Sequence, residues 1–181
     1  MQAIMETVFD LLYFASALWL GVALLKTARG RAQYLLFGSM ALLLVFGDAF
    51  HLVPRMIALN TTGLADYIVP LGIGKLVTSI TATVFYALLY HAWRARYNVT
   101  GRHSLTLWVW GLTLFRTALC LFPQNGWLSA NPPLLWGVYR NLPYLPLGVI
   151  LMVLFFRSAK ADPPLRHAWL AVVLSFAFYI P

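Results

Sequence analysis

The chain has 181 residues, of which 61% are hydrophobic and 10% charged. A soluble domain averages about a quarter charged residues, so this composition excludes an ordinary water-soluble fold and points to a multi-pass membrane protein. The net charge of +8 gives no case for nucleic acid, because most basic residues flank apolar runs and form no polar basic domain.

Six apolar segments follow one another at about 7–25, 34–53, 68–93, 104–122, 137–156 and 167–181. The first five approach or exceed the ~20 residues that a bilayer helix needs. None alternates polar and apolar residues as barrel strands do, so helices are the expected spanning form. The expected fold is an all-α polytopic transmembrane helix bundle, a single domain over residues 1–181.

The N-terminus carries Glu6 and Asp10 and has no basic n-region, so it does not read as a signal peptide. The second ends in Gly47-Asp48-Ala49-Phe50-His51-Leu52-Val53-Pro54-Arg55. Asp48 lies about two turns inside that end, too deep for its short side chain to reach the headgroups, and an intramembrane acid is a functional-site candidate by default. At about 100° per residue, Asp48, His51 and Arg55 share an arc of about 60°.

The third segment carries a stripe of small and polar residues, Lys75, Thr78, Ser79, Ala82 and Tyr86. In the fourth, Thr113, Arg116 and the chain's single cysteine, Cys120, fall on one side; one cysteine rules out an intrachain disulfide framework. The loop 123–136 holds no charge and combines turn residues with Trp127 and Trp136, as in an interfacial loop or a cover over a cavity. The fifth segment opens with Tyr139, Arg140 and Asn141, and Pro143 and Pro146 are expected to break its ladder. The sixth, His167 to Pro181, is short: at ~1.5 Å per residue it reaches about 22 Å against a ~30 Å core. The expectation is a piece of a longer protein with a seventh helix.

Loop charge sets the expected orientation. Nine of the 13 basic residues lie in the first, third and fifth loops. The positive-inside rule then puts those loops in the cytoplasm and the N-terminus outside. Asp10, Asp48, His51, Arg55, Lys75, Arg116 and Arg140 all fall in the outer half of their spans or at its edge. If they converge, two acids against four cations leave a pocket of net +2 with His51 neutral. Such a pocket favours an anion, with arginine offering bidentate geometry.

Other chemistries find less support. Asp48 and His51 are one turn apart, but a zinc site needs about three protein ligands, so neither a metal nor another cofactor is expected. Ser79 and His51 come with no nucleophile elbow. The sequons at Asn60 and Asn98 lie in loops of opposite sidedness, so at most one is open to glycosylation.

Phe46-Gly47-Asp48-Ala49-Phe50-His51-Leu52-Val53-Pro54-Arg55, Tyr139-Arg140-Asn141-Leu142-Pro143 and Phe178-Tyr179-Ile180-Pro181 together resemble a prokaryotic family of multi-pass membrane proteins to which no activity is attached. The resemblance covers most of the chain, implies a further helix, and implies a prokaryotic plasma (inner) membrane. The Gly47-Asp48 dipeptide alone resembles lysoplasmalogenase-type membrane hydrolases, whose second essential Asp has no counterpart here.

The leading expectation is a protein that binds or transports a small anionic or amphiphilic ligand. Its site would comprise Asp48, His51, Arg55, Lys75, Ser79, Arg116, Tyr139, Arg140 and Asn141. An intramembrane lipid-acting enzyme using Asp48 or His51 as general base is the alternative. A non-catalytic structural or partner subunit is the third. The expected partners are membrane lipids and a small anion; the sequence gives no oligomeric state.

Overall fold

The computed structural model describes residues 2–159, 162 and 167–179. Among them only helices, turns and connecting segments occur. The helices are α1 (Gln2–Thr27), α2 (Ala32–Asn60), α3 (Ile68–Arg96), α4 (His103–Leu121), α5 (Leu134–Asn141), α6 (Tyr144–Ala159) and α7 (Ala168–Tyr179). Counting α5 and α6 as one broken span, five helical segments are long and apolar enough to cross a membrane. The sixth expected segment corresponds to α7, whose 12 residues are fewer than a crossing needs. Ile180 and Pro181, which carried part of the family resemblance, lie outside the described residues.

Side-chain pairings fix the up-and-down order. Along α1 and α2, Tyr13 meets Asp48, Glu6 meets Arg55 and Thr7 meets Asn60, so the two run antiparallel. Thr78 bonds the Gly47 carbonyl while Gly74 lies against Phe50 and His51, which makes α2 and α3 antiparallel too. Arg116 against Ser79 and Thr106 against Tyr90 do the same for α3 and α4. The α2 and α4 C-termini and the α3 and α5 N-termini therefore share one end of the bundle.

Two departures from the expected segments have physical reasons. α2 does not stop at Val53 but continues through Pro54 to Asn60, which brings Arg55 inside the helix. Proline removes the N–H that would bond the carbonyl four residues back, here that of Phe50. Gly74 of α3 packs onto that carbonyl, and a β-carbon at Gly74 would collide with it. Close approach through small residues is how membrane helices gain contact without a hydrophobic drive between them. The fifth segment starts earlier, at Leu134, and breaks once, at Leu142–Pro143. Pro146 sits in the first turn of α6, where a missing N–H costs nothing, and causes no second break.

The tightest core lies between α3, α4, α6 and α7. Tyr86, Tyr90, Val109, Tyr144, Leu147 and Leu151 are all essentially inaccessible there. The outward faces of α1 and α4 are apolar and exposed, with Phe9, Leu12, Trp19, Leu107, Trp108 and Leu114 standing free. On a water-soluble protein so large an exposed apolar area would be a liability; on a bilayer-spanning helix it is the lipid face.

Candidate functional site

The polar residues separate into two groups on opposite flanks of α3. On the α1–α2 flank, the Tyr13 hydroxyl donates to Asp48 Oδ2 at 2.6 Å, with Asp48 only 7% exposed. Arg55 donates from Nε and one terminal nitrogen to Glu6 Oε2 at 3.2 and 3.1 Å. His51 stands among Asp48, Arg55 and Lys75 and faces the backbone of Leu71. Its Nδ1 is buried without a hydrogen-bond partner among the described residues.

Arg116 occupies the other flank. It is 1% exposed, the largest fully buried side chain among the described residues. Its spacing on α4 explains this, since Val109, Thr113, Arg116 and Cys120 recur every three or four residues and all are buried. One terminal nitrogen donates to the Ser79 carbonyl at 2.8 Å and to the Thr83 hydroxyl, the other to Asn141 Oδ1 at 3.1 Å. The guanidinium carbon sits 3.8 Å from the Tyr144 ring centroid. Every one of these partners is neutral, and Arg116 has no carboxylate partner among the described residues. Burying an unpaired cation is costly; the hydrogen bonds and the aromatic face compensate without cancelling the charge.

Arg140 lies beside it. Its guanidinium donates to Asn125 Oδ1 at 3.3 Å and covers the Trp127 ring at 4.3 Å. Asn125 in turn donates its amide to the carbonyls of Leu119, Cys120 and Phe122, the orphan acceptors at the end of α4. Trp127 Nε1 donates to the Cys120 carbonyl at 2.8 Å, and the Trp127 backbone rests on Gly72. The loop 123–136 is thereby tied down across the ends of α3 and α4. Under it lies a cavity of about 180 Å³ lined by Lys75, Trp127, Ser129 and Arg140 among others. A second cavity of about 430 Å³ adjoins it, lined by Pro132, Pro133, Gly137, Leu145 and again Arg140. No carboxylate lines either cavity among the described residues.

The nine expected site residues are therefore not gathered in one pocket. Ser79 and Asn141 join Arg116; Lys75 and Arg140 share the smaller cavity, and Lys75 also borders His51. Asp48 and Arg55 are engaged by α1. Tyr139 points out to Trp136 at the surface. The charge balance shifts accordingly: Glu6, read only as an N-terminal acid, answers Arg55, which leaves three cations on the α3–α5 side. Tyr13, Thr83, Asn125 and Tyr144 were not foreseen. Thr83 was legible one turn beyond Ser79, and Asn125 and Trp127 stood in the loop already suspected of covering a cavity.

No family of known proteins, no characterised protein and no solved structure matches this chain.

Proposed function

We propose that this chain is an integral membrane protein that binds or transports a small anionic or amphiphilic ligand, held by Lys75 and Arg140 with Arg116 behind them. The observation that carries the reading is the set of three cations with no carboxylate partner among the described residues. Arg116 is wholly buried on neutral partners, and Arg140 and Lys75 line the adjacent cavity. A folded protein keeps buried positive charge when something compensates it, and a bound anion does so with bidentate geometry. On the positive-inside orientation, with the N-terminus outside a prokaryotic inner membrane, the cavity opens in the outer half of the bilayer.

The test is mass spectrometry of lipids and metabolites that copurify with the protein, compared with Arg140→Gln. Enrichment of an anionic species in the wild type and its loss in the variant is expected. Identical profiles would overturn the reading. An enzyme working through Asp48 or His51 differs: there Asp48→Asn would keep the ligand and abolish its conversion in the same preparation.

A further inference from the structure

Among the described residues, Arg140 is the one with a cationic side chain that lines both neighbouring cavities, and the two differ in character. The smaller is partly polar: Lys75, Ser129 and Arg140 line it beside Trp127, whose ring Arg140 covers. Its 180 Å³ is below the ~300–1,000 Å³ of a complete ligand pocket. The larger, at 430 Å³, lies within that range and is walled by Pro132, Pro133, Gly137, Val138, Leu142 and Leu145. Pro132 and Arg140 form the shared wall. The break in the fifth span at Leu142–Pro143 contributes to the groove, since Leu142 within it and Asn141 and Leu145 on either side of it all line the groove.

We propose that the pair is a single site for a single-chain anionic amphiphile. The charged head would occupy the Lys75–Arg140 cavity, and the hydrocarbon chain the groove along α5 and α6. This rests on the anion-binding reading above and narrows it. A compact polar anion fills only the smaller cavity; a neutral hydrocarbon leaves the cations unanswered. An amphiphile meets both, with Arg140 at the junction where head becomes chain. Arg140 Nε, buried without a partner among the described residues, is a donor still available at that junction.

The test uses the full chain in phosphatidylcholine nanodiscs and follows quenching of tryptophan fluorescence by bromine-labelled dodecanoate. Bromine-labelled dodecanol and propionate serve as comparisons. Trp127 forms one wall of the head cavity, and the part of the quenching lost in Trp127→Phe reports its occupancy apart from lipid-face tryptophans such as Trp19 and Trp108. Dodecanoate is expected to quench saturably and at least about tenfold more tightly than either comparison. Arg140→Gln should abolish that preference over dodecanol. Gly137→Leu fills the groove without removing charge; its β-carbon meets only the Arg140 guanidinium, at 3.8 Å, an ordinary contact. It should weaken dodecanoate about tenfold more than it weakens propionate, since crowding of the Arg140 guanidinium acts on both. Propionate binding as tightly as dodecanoate, with no effect of Gly137→Leu, would overturn the amphiphile assignment while leaving anion binding intact. Dodecanol matching dodecanoate, with Arg140→Gln silent, would overturn both.

Discussion

Replacing Arg116 with methionine separates a ligand-facing charge from a structural one. The substitution removes three hydrogen bonds and the Tyr144 stacking. Charge-assisted bonds are worth about 1.5–3 kcal/mol each net, and a desolvated cation–π contact about 2 kcal/mol. Against these stands the cost of a cation in a membrane interior, between about 3 and 10 kcal/mol or more. The two sides are of similar size, and Ser79 and Thr83 keep a hydrogen bond to each other when Arg116 is gone. Stability should therefore change by less than about 3 kcal/mol in either direction, as apolar replacement of buried ions often does. The ligand should respond more sharply. At an effective dielectric of about 20, opposite unit charges separated by about 8 Å attract by about 2 kcal/mol, which corresponds to about thirtyfold in affinity. The assays are denaturant unfolding in detergent and the dodecanoate titration, run on one preparation. Unfolding of Arg116→Met outright, or unchanged dodecanoate affinity in a folded variant, would refute the role given to this charge.

The α2–α3 contact gives a structural counterpart. Gly74→Val drives a branched side chain into the backbone of Phe50 and His51 and should cost more than about 3 kcal/mol. Gly111→Ala, where nothing lies within 4 Å, should be neutral or gain up to about 1 kcal/mol in the same unfolding assay. The Arg55–Glu6 pair is about a third exposed, at 35% and 29%, so Arg55→Ala should cost no more than about 1 kcal/mol. Tyr13→Phe removes a hydrogen bond to the buried Asp48 carboxylate and should cost about 1.5–3 kcal/mol. Arg94 donates to the carbonyls of Val99 and Gly101 and to the Thr106 hydroxyl, so Arg94→Ala should speed amide exchange across residues 97–102. Unchanged exchange there would show that the α3–α4 turn holds without it.

The helices were legible because bilayer length and apolar composition leave little freedom. Helix ends were less so. The second segment reads to Val53 in sequence, yet α2 passes through Pro54, and Gly74 of α3 packs against the carbonyl that proline frees. The burial of Arg116 was foreshadowed by its spacing with Thr113 and Cys120, which holds on any helix. Its neutral company was not, because Tyr144 lies beyond a break and Thr83 belongs to another span. The single stripe read on α3 divides in the fold: Thr78 serves α2, while the Ser79 carbonyl and Thr83 serve α4. A helix wheel places residues on an arc but does not say which neighbour takes each edge of it. Asp48, the most conspicuous residue in the sequence, is thereby a member of the α1–α2 flank, held by Tyr13. Of the cations that define the candidate site, Arg116 and Arg140 lie across α3 from it and Lys75 stands on α3 itself.

Native mass spectrometry of the full chain, released from membranes holding anionic and neutral single-chain amphiphiles in equal amount, tests anion binding most directly. The expected spectrum shows one anionic adduct per chain, lost together in Arg140→Gln and Arg116→Met. Neutral and anionic adducts in equal proportion, unchanged by either substitution, would contradict a cationic binding site between α3, α4 and α5.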